Sequence, residues 1–328
     1  MQNQISLKQY APLTAPFLKA YIITMRPYLL YVSGITGIAG LAFTTELTIA
    51  KIILVGLASF LSYGFGQALT DCFQIDTDSL SSPYRPLTQG VVSKKDFLAL
   101  SSAGLLFCIS IFTNYNPINI LLGILSGFGL LTYTYFKKKF WSGPFYNAWI
   151  VVLLCIMAFL CGPNEFSKII KSDFAFVILV VFFGYANFVL SGYFKDIEAD
   201  RATGYITLPV KYGRKVSTIV SDLFAFLMLF FAAIIILLEA QKVQFTSLIP
   251  ATLFLALGLT LAIISQLQLH RVRTDDASHS AITLAVHSYV LTLSGLASIK
   301  HPEWSLFLVL FYIGFNLTML ARPAKNQI

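Results

Sequence analysis

The chain has 328 residues, of which 57% are hydrophobic and only 12% charged, and its mean hydropathy is +0.75. Soluble domains carry about 25% charged residues, so a freely soluble globular domain is excluded. The net charge of +8 has no basic domain outside the apolar runs behind it, which excludes a nucleic-acid-binding surface.

Apolar runs follow one another near 21–44, 51–69, 96–112, 117–136, 144–162, 172–194, 216–239, 245–268, 281–299 and 303–321. Each approaches the roughly 20 helical residues needed to cross a hydrocarbon layer about 30 Å thick. Their backbone groups must be satisfied within each segment, and the hydrophobicity does not alternate, so helices are predicted and a barrel is not. The expected fold is all-α, a single domain over 1–328 built as a polytopic transmembrane helical bundle. The first 17 residues are polar or mixed and lack the pattern of a cleaved signal, so the first span is expected to be the membrane signal.

With all ten runs crossing and the N-terminus cytoplasmic, 18 of the 23 Lys and Arg fall on the cytoplasmic side, from Lys8 to Arg322 and Lys325. Lys51, Lys168, Lys171, Lys242 and Lys300 remain opposite, a bias that the positive-inside rule expects. Cys72, Cys108, Cys155 and Cys161 have no metal-type spacing and read as small apolar packing residues.

Two cytoplasmic cap loops are long, 70–95 after the second run and 195–215 after the sixth. The first carries Asp71, Gln74, Asp76 and Asp78, then Pro83-Tyr84-Arg85-Pro86 and Gly90. The second carries Lys195, Asp196, Glu198, Asp200 and Arg201, then Gly204, Thr207-Leu208-Pro209-Val210, Lys211 and Gly213. If the second helix continues through its loop, Gln67, Asp71, Gln74 and Asp78 share one face, and Asp196 and Asp200 lie one turn apart. Like charges so placed repel, and a cation between them relieves the repulsion; Mg²⁺, which takes carboxylate oxygens and is completed by phosphates, is the natural one. A solvated loop explains either cluster alone. Two clusters four spans apart, each trailed by Pro, Gly and basic residues, look like a duplicated unit.

These residues resemble the UbiA-type intramembrane prenyltransferase family. The first loop is similar to its NDxxDxxxD signature, and Pro83 to Gly90 resembles the continuation found in the chlorophyll-synthase-like branch. Asp196-x-x-x-Asp200 with Thr207 to Val210 resembles the second, DxxxD signature; Arg26-Pro27 matches the usual Arg-Pro, and Tyr133-x-x-x-Lys137 the YxxxK pattern, which Tyr135-x-x-x-Lys139 fits equally. Thr70 replaces the signature Asn and Gln74 the middle Asp, leaving a neutral carbonyl oxygen where a carboxylate is usual. The family fold has nine spans, so nine to ten are expected here, with 303–321 the extra one.

The resemblance implies Mg²⁺-dependent transfer of a prenyl group from an isoprenoid diphosphate to a lipophilic acceptor, with membrane lipid around the site. Asp71, Gln74, Asp78, Asp196 and Asp200 would hold Mg²⁺. Arg26, Arg85, Lys137, Lys195, Arg201 and Lys211 would meet phosphate oxygens, and Tyr133 would face the allylic cation. Within the family the alternative is a terpene cyclase ionising the same diphosphate. A transporter would place its charges near the bilayer midplane on broken helices, whereas these lie at one face. Asp222 in the seventh run and His287 in the ninth are further candidates for acceptor contact, or simply interhelical hydrogen bonds.

Overall fold

The computed structural model describes residues 9–163, 166–171, 173–242 and 245–322. Lys8 and Lys325, counted above as cytoplasmic, lie outside the described residues, as do the side chains of Lys168 and Lys171. Among the described residues every regular element is helical.

The chain opens with α1 (Ala15–Met25), which ends at Arg26 in the left-handed conformation; a 3₁₀ turn (Pro27–Leu29) leads into α2 (Leu30–Ala42), bent 41° from α1. There follow α3 (Ile49–Asp71), the short α4 (Ile75–Ser81), α5 (Lys94–Tyr115), α6 (Asn119–Lys139), α7 (Gly143–Phe159) and the single turn α8 (Lys168–Lys171). The remainder comprises α9 (Phe174–Tyr193), the short α10 (Ile197–Ala202), α11 (Leu208–Ala240), α12 (Phe245–Arg271), α13 (His279–Lys300) and α14 (Ser305–Leu320). Among the described residues eight helices are long and apolar enough to cross a membrane, nine if α1 and α2 form one bent span; α7, at 17 residues, is shorter. Each of the ten predicted runs is thus helical. Large apolar side chains on the outer faces, such as Leu121, Leu253, Leu310 and Leu320, are exposed as a lipid-facing surface requires.

The core gathers around α13, the most buried of the long helices, which packs against α12, α2 and α9. Small residues permit this closeness: a Cβ on Gly295 would meet the Ala251 carbonyl oxygen at 3.1 Å and Leu255 at 2.5 Å. Buried hydroxyls find backbone partners across the interfaces, Ser288 donating to Gly258 O at 2.8 Å and Ser265 to Ala281 O at 2.7 Å. All four cysteines are free and buried, as their spacing implied.

The expected continuous helix through Gln67, Asp71, Gln74 and Asp78 does not form. The α3 helix tightens at its end, Phe73 N–H bonding Thr70 O and Gln74 N–H bonding Asp71 O, and α4 restarts with Asp78 N–H on Gln74 O. Gln74 occupies the N-cap of α4 with φ −116° and ψ 17°; Asp196 occupies that of α10 with φ −116° and ψ 11°. A long helix, a three-residue break and a short helix therefore occur twice with the same backbone geometry, at 71–75 and 193–197. Each of the two segments expected as loops carries a short helix, α4 in the first and α10 in the second, and these two helices pack against each other.

Candidate active site

The breaks after α3 and α9 bring the two acidic segments to the head of one cavity of about 200 Å³. Its head is lined by Arg26, Asp71, Gln74, Asp78, Arg85, Lys137, Lys195 and Asp196, with Tyr133 just below. Its shaft is apolar, passing Ile109, Leu130, Ile150 and Leu154 to Phe112 and Met157. A charged mouth over an apolar shaft matches a ligand with a polyanionic head and a hydrocarbon tail.

Pairing between the predicted acids and bases is direct. Arg26 Nη2 donates to both oxygens of Asp71, at 3.1 and 2.9 Å, and Gln67 donates to the same carboxylate. Arg85 pairs with Asp78 and stands 3.8 Å from Asp71. Lys137 joins the two halves, reaching Gln74 Oε1 at 3.3 Å and Asp200 Oδ1 at 3.4 Å, while Thr77 Oγ1 donates to Asp200 Oδ1 at 3.2 Å. Asp200 is wholly buried behind the cavity wall, and its Oδ2 has no hydrogen-bond partner.

Electrostatics separates the two acids of the second segment. Burial pushes the Asp200 carboxyl up to about 6, against the attraction of Lys137. Burial also works on Asp196, but Lys195, Lys137 and Arg85 outweigh it and hold that carboxyl below its usual value. Burial pushes the Lys195 amine down to about 8, against Asp196.

The donor set is carboxylate and amide oxygen, the chemistry of a hard divalent ion, and the orphaned Asp200 Oδ2 is a buried oxygen wanting a partner. The residues fit Mg²⁺. Among the described residues no three acids already converge as a ready-made site; Arg26, Arg85 and Lys137 neutralise the carboxylates instead.

Arg201 and Lys211 are exposed and do not line the cavity; the ammonium of Lys211 rests over the Tyr212 ring. The ambiguity between two YxxxK registers resolves: Tyr133 and Lys137 are buried at the cavity, whereas Tyr135 and Lys139 face outward. Asp222 pairs with His270 at 2.9 Å and His287 with the Tyr312 hydroxyl at 2.9 Å, both as interhelical hydrogen bonds away from the cavity. Tyr193, not singled out from sequence, bonds the Tyr133 hydroxyl at 2.8 Å and lies 5.1 Å under the Lys137 ammonium. Its place three residues before Asp196, as Asp71 precedes Gln74, was the available signal. Asp76 turns away from the cavity to Lys138, at 2.7 Å, and to the Tyr205 hydroxyl, at 3.0 Å.

The sequence model of the UbiA prenyltransferase family matches residues 30–285. The chain belongs to the UbiA prenyltransferase family. Its enzymatic class is therefore prenyl transfer, the movement of an alkyl group other than methyl. Relatives include digeranylgeranylglyceryl phosphate synthase of Pyrococcus abyssi, 24% identical over 85% of this chain and 96% of that protein. The synthase of the same name from Thermococcus kodakarensis is 32% identical over 64% of this chain and 74% of its own. Among solved structures, a UbiA homologue from Aeropyrum pernix superposes with a TM-score of 0.69 at 19% identity, covering 82% of this chain and 96% of that one. A UbiA homologue from Archaeoglobus fulgidus, bound to GPP and Mg²⁺, gives a TM-score of 0.61 at 15% identity, covering 84% and 99%. The UbiA fold with its multiple membrane-spanning helices is thus common to all three.

Proposed function

We propose that the protein transfers a prenyl group from an isoprenoid diphosphate to a separate lipophilic acceptor inside the membrane, with Mg²⁺ held by Asp71, Gln74, Asp78, Asp196 and Asp200. The observation that carries this is the convergence of both acidic segments on the mouth of one apolar-shafted cavity. The GPP and Mg²⁺ in the Archaeoglobus fulgidus homologue support the donor and the metal, and the name of the Pyrococcus and Thermococcus relatives supports a lipid-like acceptor. When bound, Mg²⁺ supplies charge neutralisation of the departing diphosphate.

The chain's own groups do the rest. Arg26 and Arg85, now paired with Asp71 and Asp78, would grip phosphate oxygens if those carboxylates held the metal. Lys137 and Lys195 add point charges at the same head. Tyr133, fixed through Tyr193, presents a ring face to positive charge on the allylic carbon just below the head. The apolar shaft excludes water, which would otherwise capture that cation. Arg201 and Lys211 are exposed outside the cavity and would meet the diphosphate only if the second acidic segment moved toward it. The cavity mouth faces the cytoplasm, on the strength of the basic bias of that side.

Replacing Asp71, Asp78, Asp196 or Asp200 by Ala is expected to lower diphosphate release at least about 100-fold, in keeping with removal of a main electrostatic contributor, while the protein stays monodisperse in detergent. Near-normal Mg²⁺-dependent turnover in a variant removes that residue from the site.

A further inference from the structure

Along α6 the cavity can be followed from head to floor. Lys137, Tyr133, Leu130, Gly127 and Gly123 line it in turn. At about 1.5 Å per helical residue, Gly127 lies about 15 Å and Gly123 about 21 Å below Lys137. The last lining residues of α5 and α7 are Phe112 and Met157, exposed by only 1% and 4%. Asn119, the first residue of α6, donates from Nδ2 to the carbonyl oxygens of both, at 3.0 and 3.2 Å, so three helices are tied together at the floor. Phe112 and Met157 form the floor.

The two glycines differ in what surrounds them. A Cβ on Gly123 would strike Ile109 at 2.8 Å, so this glycine only makes room for its neighbour. A Cβ on Gly127 would meet nothing within 4 Å. Gly127 therefore leaves the shaft open halfway down, and a Cβ there enters open space without striking the wall.

We infer that Gly127 and Phe112 set the length of isoprenoid this protein accepts: Gly127 lets a chain of geranylgeranyl length pass, and the Phe112 and Met157 floor stops anything longer. The shaft would be needlessly deep for a dimethylallyl group, which ends well above Gly127. This inference rests on the proposal that the cavity takes a prenyl diphosphate.

The test uses the full chain in detergent with Mg²⁺ and measures dissociation constants for geranyl, farnesyl and geranylgeranyl diphosphate by competition and calorimetry. The wild-type protein is expected to prefer geranylgeranyl over geranyl diphosphate. Gly127→Leu is expected to lower that ratio by about tenfold or more, the scale on which pocket volume discriminates hydrocarbon. Phe112→Leu is expected to admit the next longer polyprenyl diphosphates, which the wild type rejects. Should Gly127→Leu fold poorly, Gly127→Ala, with its small side chain in the same open space, shifts the ratio in the same direction. An unchanged ratio in a folded Gly127 variant overturns the inference. Failure of all three diphosphates to bind the wild type is a different result, and overturns the proposed donor itself.

Discussion

Pro27 bars Arg26 from the right-handed helical region by crowding the backbone before it, and Arg26 adopts φ 53° and ψ 72°. A left-handed non-glycine residue costs roughly 1–2 kcal/mol; the paired hydrogen bonds to Asp71 hold Arg26 there and aim it at the cavity. The Arg-Pro pair was legible as a boundary or a phosphate ligand, and the structure shows one residue being both boundary and cavity wall. Lys137 is the clearest single-residue case for stability, since it is the cationic partner of the wholly buried Asp200. Lys137→Met leaves that carboxylate unpaired and is expected to cost about 3–5 kcal/mol of stability. Thermal unfolding in detergent reads it, and adding Asp200→Leu is expected to restore part of the loss. Titration supplies a second expectation. A carboxyl pushed up to about 6 is protonated below that pH and must lose its proton to bind metal. Mg²⁺ affinity should therefore fall as pH drops below about 6 and stay level above it, as far as Asp200 governs it. A Mg²⁺ titration showing affinity rising toward acid pH would exclude Asp200 from the ligands. What sequence could not tell was which lysine of the run 137–139 matters, because positive charge at a helix end has a topological explanation; burial decides for Lys137.

At the scale of elements, the second acidic segment is held from behind by a residue that no motif points to. Asp275, in the turn after α12, accepts the backbone N–H of Glu198 at 2.8 Å and pairs with Arg214, which also donates to Phe194 O at 3.4 Å. Gly213, with φ 81°, breaks α11 just before Arg214, a conformation open to glycine and strained for other residues. The break lets Arg214 turn back toward the α9–α10 junction. Groups that orient metal ligands typically matter by 10–100-fold in metal affinity. Asp275→Asn is expected to raise the Mg²⁺ concentration for half-maximal turnover by about tenfold, with far less change in the rate at saturating Mg²⁺. An equal loss at all Mg²⁺ concentrations would mean that Asp275 only supports the fold. The helices themselves were readable because twenty-residue apolar runs admit little else in lipid. The break between Asp71 and Ile75 was not, since Cys72-Phe73-Gln74 contains neither Pro nor Gly. Tertiary packing of α4 on α10, which no local propensity records, decides it.

Across the whole molecule the two halves, α3–α4 and α9–α10, place one acidic segment each around a shared cavity, and neither half alone forms its head. The order of the motifs along the chain made this convergence readable. The depth of the shaft was not, because Phe112, Gly127 and Met157 meet only through the packing of three helices. Orientation in the membrane can be read by cysteine labelling in sealed vesicles: a single cysteine introduced at Ser93 is expected to react only with reagent on the cytoplasmic side. Reaction from outside would invert the topology and place the cavity mouth opposite. Prenyl transfer from a diphosphate to a second molecule is tested most directly by product mass. Purified protein with Mg²⁺ and geranylgeranyl diphosphate is expected to turn over only when a lipophilic acceptor is supplied, such as a long-chain glyceryl phosphate or an aromatic nucleophile. The product should then weigh acceptor plus prenyl group less a proton. A cyclic hydrocarbon or terpene alcohol released at enzymatic rates without any acceptor would contradict transfer and establish a cyclase.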